Sequence, residues 1–296
     1  MNSNSVTIDK GSDTPHYIRE RNVATVSRPV MRYYGGKWRL APWIIEQFSP
    51  HRIYVEPYGG AASVLLRKPR SYSEVYNDMD GEIVNVFRVL RNPAQARELV
   101  RQVKLTPYSR EEFEFSYIIA DDPIEQARRT LFRAAAGFGS GAQLAYGTGF
   151  RSNVTRPHTT PAGDWMQLPS HLENIIERLR GVIIENAPAV DVMLRYDGPE
   201  TLHYVDPPYV FATRNARNAG DTYRYEMTDA DHLELASVLQ GLQGNVILSG
   251  YDSELYSGLF GDWHRMERNT HADGAKDRTE VLWIKSAAMR QPGLFA

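Results

Sequence analysis

The sequence predicts an α/β fold: a mixed, mostly parallel sheet with helices on both faces, a terminal antiparallel hairpin and an inserted, mostly helical region. Three observations lead there. Short apolar runs alternate with segments of helical periodicity, the pattern of strand–helix–strand units that build a parallel sheet. That alternation stops over residues 106–180, where arginine, glycine and proline interrupt it. Near the C-terminal end two strand-like runs have only a polar loop between them, as an antiparallel pair requires.

Taken in order, residues 53–58 form an apolar run ending in a Gly59-Gly60 turn, a buried strand entering a tight bend. Residues 61–66 read as helix, and 74–77 as a second short strand closed by Asp78. Ile83, Val84, Val86, Phe87 and Leu90 recur at helical spacing, and helix resumes over 94–103 after Pro93. Residues 117–136 read as a helix broken at Pro123. Glycines crowd 137–151, and 153–169 read as loop around Pro157, Pro161 and Pro169. A helix over 170–179 has Ser170 as its cap, with Glu173 three residues on. Strands return at 182–185, 201–205, 245–250, 263–268 and 281–285, with a helix over 229–239 capped by Thr228.

Composition narrows the function classes. With no cysteine among 296 residues, disulfides, thiolate metal sites and cysteine nucleophiles are excluded. The histidines lack metal-ligand spacing, and no nucleophile elbow occurs, so no metal is expected. No run of about 18 apolar residues exists, so no membrane span is expected. Residues 1–30 read as a flexible tail without the apolar centre of a signal peptide, and a cytoplasmic location follows. The net charge of −2 argues against a chain coated in positive charge, but distribution matters more than the sum. From Gln126 to Thr160 there are five arginines (Arg128, Arg129, Arg133, Arg151 and Arg156) and no Asp or Glu.

The chemistry concentrates in four short segments. In His203-Tyr204-Val205-Asp206-Pro207-Pro208-Tyr209 an apolar strand delivers a carboxylate, two rigid prolines and an aromatic ring. Proline fixes the backbone and removes N–H donors, leaving carbonyl acceptors. Asp206 and the Pro207 carbonyl would accept the two hydrogens of an exocyclic amine while Tyr209 stacks on the base, the needs of an enzyme that flips its target nucleotide. The plain alternative is a strand ending in a proline turn. In Val55-Glu56-Pro57-Tyr58-Gly59-Gly60-Ala61-Ala62-Ser63 a strand, a small-residue turn and a helix start admit an adenosylated amino acid; without GxGxxG a pyrophosphate is disfavoured. The alternative is a tight turn with a buried Glu. Asp78 ends the second strand about 20 residues past the turn, where an acid accepts ribose hydroxyls. It is equally placed to cap the next helix. Arg32-Tyr33-Tyr34-Gly35-Gly36-Lys37 offers a glycine pair before a lysine but lacks P-loop spacing.

In this order, with a long insertion before the last, the four segments resemble the Dam-like family of DNA adenine-N6 methyltransferases. The resemblance covers most of the chain, from about residue 31 to residue 285. The strand Arg278-Thr279-Glu280-Val281-Leu282-Trp283-Ile284-Lys285 is similar to that of the family's phage-encoded members. The resemblance implies a Rossmann-like methyltransferase sheet formed by 31–105 and 181–296, with 106–180 inserted as the DNA target-recognition region. It implies S-adenosylmethionine as cofactor and double-stranded DNA as partner. Tyr33, Gly36, Lys37, Glu56, Pro57, Tyr58, Gly60, Asp78 and Asp206 would bind the cofactor, and Asp206, Pro207, Pro208 and Tyr209 would form the catalytic loop. Arg128, Arg129, Arg133, Phe150 and Arg151 would meet DNA, or the arginines would be a solvated helix face. Tyr33 replaces the tryptophan of some members, and Ala62 stands where the last glycine of the loop is common.

The reaction expected is direct methyl transfer from a sulfonium to N6 of an adenine flipped from the duplex. Hydrogen bonds from the amine to Asp206 and the Pro207 carbonyl would stabilise the charge that develops on it. The rivals are an N4-cytosine or other amino-group methyltransferase, disfavoured by the leading Asp and the basic insertion, and a non-catalytic DNA-binding relative. The sequence sets neither the target site, nor pairing with a restriction nuclease, nor a choice between monomer and weak dimer.

Overall fold

A computed structural model describes residues 26–139, 147–213, 223–271 and 277–286. Among them a seven-stranded sheet runs in the order β3-β2-β1-β4-β5-β7-β6. The strands are β1 (Ile53–Glu56), β2 (Ser73–Asn77), β3 (Val182–Glu185), β4 (Thr201–Val205), β5 (Asn245–Tyr251), β6 (His264–His271) and β7 (Asp277–Lys285). β1 to β5 pair in parallel, and β7 lies antiparallel between β5 and β6. The mixed sheet and its terminal hairpin are those expected.

Side-chain alternation along the strands feeds two packed faces. Tyr54, Tyr76, Leu202, Tyr204, Ile247 and Leu282 enter one core. Val205, Val246, Leu248, Val281 and Trp283 enter the other. The first face is covered by α1 (Ala41–Ile45), α2 (Ser63–Arg67), α3 (Gly81–Arg91), α4 (Pro93–Leu105), α6 (Pro123–Ala136) and α7 (Pro161–Leu179), with α5 (Arg110–Phe115) packed on α6. The second carries α8 (Ala189–Arg195), α9 (Asp229–Gly241) and α10 (Glu254–Leu259). Burial on both faces explains why β4 is buried at every position rather than alternating with solvent.

Three expectations about the elements change. α7 begins nine residues before the expected helix: Thr160, not Ser170, is its cap, and its hydroxyl accepts from Gly163 N at 3.1 Å. Pro161 sits in the first turn, where its missing N–H costs nothing. Pro169 lies inside the helix, which persists because Trp165, Leu172, Ile175 and Leu179 bury one face across the interruption. Second, residues 117–122 are not helical: Asp122 caps α6 through Glu125 N at 2.7 Å, with Pro123 opening it. Third, Val26 and Val30 are buried in the first core, so packing reaches back past the tail boundary at residue 30. Residues 1–25 of that tail, and 140–146 of the glycine-rich stretch, lie outside the described residues.

Among the described residues, the core of the 106–180 segment is continuous with that of the sheet. Phe113, Phe132, Trp165 and Leu172 belong to the same cluster as Leu90, Leu99 and Tyr76. The Trp165 ring meets Phe132 edge-on at 4.8 Å, and its indole N–H donates to Thr106 O at 2.9 Å.

Candidate active site

β1 continues to β2 on one side of the sheet, and β4 to β5 on the other, so strand order reverses between β1 and β4. Ligands in open α/β sheets bind beyond the strand ends at such a point. A cavity of about 520 Å³ opens there. Its walls include Tyr33, Gly36, Lys37, Glu56, Tyr58, Gly60, Asp78, Asp206, Pro207 and Pro208, so residues from all four short segments meet in one space. Two expected residues stand behind that wall. Pro57 uses its carbonyl to accept from Asn77 Nδ2 at 2.8 Å. Tyr209 turns its hydroxyl to Asp206 and Glu280, with Lys37 Nζ 4.8 Å from its ring centroid and Tyr251 edge-on at 4.6 Å.

The turn after β1 is built around backbone amides. Glu56 is 2% exposed, and its Oε2 accepts from the Tyr54 hydroxyl at 2.6 Å and from Leu65 N at 2.9 Å, tying β1 to the first turn of α2. Burial pushes its carboxyl up to about 8, against those two donors. Gly60 has φ +47°, and a Cβ there would stand 2.5 Å from the Tyr33 ring. Ala62 takes a left-handed conformation (φ 53°) where the resemblance places a glycine, at a cost of roughly 1–2 kcal/mol.

Asp78 takes one backbone amide on each oxygen, Gly60 N on Oδ2 and Asp80 N on Oδ1, both at 2.8 Å. It does not cap α3. Asp80 does, accepting from Glu82 N at 2.9 Å, so the alternative reading of Asp78 falls away and its carboxylate belongs to the cavity. Burial pushes Asp78 up to about 6 despite the amides it accepts.

On the β4 side a buried cluster forms. Lys37 Nζ lies 2.9 Å from Asp206 Oδ1 and 3.8 Å from Glu280 Oε1, and donates to Gly35 O at 2.8 Å. Burial alone would lower the Lys37 pKa, but the Asp206 and Glu280 carboxylates outweigh it and hold the ammonium charged. Burial raises Asp206 above the usual carboxylate range, opposed by Lys37 and the Tyr209 hydroxyl. Burial likewise pushes Glu280 up to about 7, with Lys37 opposing and Asp206 adding.

Sequence reasoning missed Glu280 as a site residue. It is 3% exposed on β7, and only the antiparallel register, which sets it opposite Tyr251, brings it to the site. The available signal was an acid opening the otherwise apolar run Val281-Leu282-Trp283-Ile284. Also missed were Asp80 and Arg224 on the cavity wall. Arg224 pairs with Asp80 at 3.1 Å and Glu82 at 2.7 Å, and Glu82 also pairs with Arg133, so charges connect α6 to the cavity.

The expected DNA-contacting set does not hold together. Arg128, Arg129 and Arg133 are 7%, 8% and 4% exposed, which excludes a solvated helix face. Arg128 binds Glu125 and Glu112, Arg129 binds Glu125 and the Ile118 carbonyl, and Arg133 binds Glu82 and the Ser116 carbonyl. Their guanidiniums are consumed inside the protein and are not presented to a phosphate. The acid-free stretch was real in sequence, but Glu125 lies just before it and Glu82 and Glu112 arrive from other helices. Phe150 packs on Tyr108 at 5.2 Å and Phe113 at 5.6 Å. Arg151, half-buried, donates to the Ala135 carbonyl at 2.9 Å. Arg110 and Arg156 are exposed in the same region.

Among the described residues no three His, Asp or Glu side chains converge as a metal site would require. None of the described helices is long and apolar enough to cross a membrane. A sequence model of the family described as D12 class N6 adenine-specific DNA methyltransferase matches residues 33–272. Proteins named DNA adenine methylase from Salmonella typhi and from Salmonella typhimurium strain LT2 are each 24% identical over 256 residues, covering 82% of this chain and 86% of theirs.

Proposed function

The chain belongs to the D12 class of N6 adenine-specific DNA methyltransferases, and from that premise we propose how its cavity is used. The protein methylates the N6 amine of adenine in DNA. Adenine specificity sets aside the rival N4-cytosine reading. The reaction needs a methyl donor, and the size and lining of the cavity support the reading that this donor is S-adenosylmethionine. Its volume, about 520 Å³, lies in the usual range of small-molecule sites. Gly59 and Gly60 let the Tyr76 and Tyr33 rings pack directly on the turn, which a Cβ at either position would prevent, and Asp78 puts a carboxylate at a strand end.

S-adenosylmethionine supplies, when bound, an electrophilic methyl group on a sulfonium. Asp78 accepts the ribose hydroxyls; Tyr33, Gly36, Glu56, Pro57, Tyr58 and Gly60 shape the cradle around it. Asp206 and the Pro207 carbonyl accept from the adenine amine. Lys37 and Tyr209 both address Oδ1 of Asp206, which leaves Oδ2 for the amine. The amine is a weak nucleophile because its lone pair is shared with the ring; acceptors fixed on its hydrogens favour the charge it gains in the transition state. Pro207 and Pro208 hold that geometry before substrate arrives. Residues 106–180 form the face that meets DNA, with Arg151, Arg110 and Arg156 as its cations and the three buried arginines as its frame.

One observation carries this reading: Asp206 and Asp78, from β4 and β2, line one cavity at the point where strand order reverses. The test is methyl transfer to DNA, read as N6-methyladenine in digested nucleosides. Asp206→Ala abolishes the product while donor binding, measured by calorimetry, survives. Full activity in that variant would overturn the assignment.

A further inference from the structure

We infer that Glu280 is the final acceptor of the proton released by methyl transfer, reached from Asp206 through the Tyr209 hydroxyl. The inference rests on the reading in which Asp206 holds the adenine amine. It stands first on placement. The Tyr209 hydroxyl bridges two buried carboxyls, lying 3.2 Å from Asp206 Oδ1 and hydrogen-bonded to Glu280 Oε1. Glu280 reaches this point from β7, and among the described residues its only cation is Lys37, at 3.8 Å.

It stands second on charge. Two carboxylates and one ammonium leave the ionised cluster one negative charge in excess. A sulfonium donor in the cavity offsets the excess charge of this cluster. As the carbon–sulfur bond breaks, its electron pair stays on sulfur; the nitrogen lone pair forms the new nitrogen–carbon bond, and the positive charge passes to the amine. The amine then gives one N–H proton to Asp206, keeping the electron pair, and the base becomes neutral. A half-turn of the Asp206 carboxyl, a soft torsion, presents that proton to the Tyr209 oxygen while Tyr209 passes its own to Glu280. The cluster ends neutral, Asp206 is again an anion beside Lys37, and no net charge is left buried. A single carboxylate paired with Lys37 has no such capacity: protonated, it would leave the ammonium alone in a dry site. Burial has already pushed Glu280 up to about 7, so it takes a proton more readily than a carboxylate in the usual range.

The experiment is kcat against pH for DNA methylation by the full chain, wild type against Glu280→Gln, with donor affinity and KM for DNA measured alongside. Wild type rises through a limb near neutrality. Glu280→Gln loses about a hundredfold in kcat, the lower end for a positioned proton acceptor. Its limb disappears, donor affinity and KM stay within about threefold, and Glu280→Asp recovers the limb. Tyr209→Phe shows the same loss, and combining it with Glu280→Gln adds little; this carries the test if the Gln variant does not fold. A Glu280→Gln enzyme with the wild-type rate, or a slow one that keeps the limb, overturns the inference. Absence of N6-methyladenine with wild type would instead sink the underlying reading of the site.

Discussion

Replacing Lys37 by methionine isolates the electrostatics of the site from its shape. The substitution keeps a long side chain but removes an ammonium 2.9 Å from Asp206 and 3.8 Å from Glu280. Both carboxyls are buried, so the variant either keeps an unpaired anion or takes up a proton. Leaving a buried charge without its partner costs about 3–5 kcal/mol. Protonating a carboxyl of ordinary pKa at neutral pH costs about 1.4 kcal/mol per unit, or about 4 kcal/mol in all, and the two routes agree. They differ in pH dependence. A group whose folded pKa is raised binds a proton that the unfolded chain releases, so the folded state loses ground as pH rises. The deficit of Lys37→Met relative to wild type therefore grows by about 1.4 kcal/mol per pH unit above the unfolded carboxylate range, until the folded pKa is passed. Urea denaturation of both proteins at about pH 5.5 and about pH 8 measures this. The variant is nearer to wild type at the lower pH. A deficit equal at both values would mean that Lys37 acts through packing, and the charge argument would fail. The same variant loses methylation, because a protonated Asp206 is a weaker, uncharged acceptor and cannot take the proton the amine releases.

Two further outcomes follow from the geometry. Asp78→Asn keeps the size of the side chain but turns an NH2 toward one of the two backbone amides that Asp78 accepts, so stability falls by about 1–3 kcal/mol, and donor affinity falls by about tenfold or more. A calorimetric affinity equal to wild type would remove Asp78 from the donor site. Arg133→Ala leaves Glu82 with Arg224 as its cation and the Ser116 carbonyl without its donor, so it destabilises the fold by about 1–3 kcal/mol and leaves the salt dependence of DNA binding unchanged. Arg156→Ala does the reverse, lowering the slope of log affinity against log salt by about 0.9 with no loss of stability. The opposite pattern in these two variants would restore the buried arginines to the DNA face.

Much of the site was legible because its chemistry lies at strand ends. Asp78 and Asp206 each follow directly on a short strand, and a parallel sheet delivers the ends of its strands to one edge. What was hidden depended on partners remote in sequence. Glu280 enters through an antiparallel register set by a hairpin, and nothing near it in the chain announces Lys37 or Tyr209. The burial of Arg128, Arg129 and Arg133 was invisible for the same reason: Glu82 and Glu112 come from other helices. The start of α7 was obscured differently. Proline at 161 and 169 read as loop, because local preference was weighed without the apolar stripe of Trp165, Leu172, Ile175 and Leu179 that keeps the helix together.

The shared core of the inserted helices also bears on how such an enzyme changes its targets. Phe113, Phe132 and Trp165 pack with Leu90 and Leu99 of the sheet domain. A recognition segment exchanged between relatives as a cassette would arrive with side chains shaped for another enzyme's α3 and α4, and would leave Glu82 without Arg133. If residues 106–180 meet DNA as proposed, target preference would drift through exposed positions such as Arg110 and Arg156, one substitution at a time, while the helices beneath them would change only together with the sheet they cover.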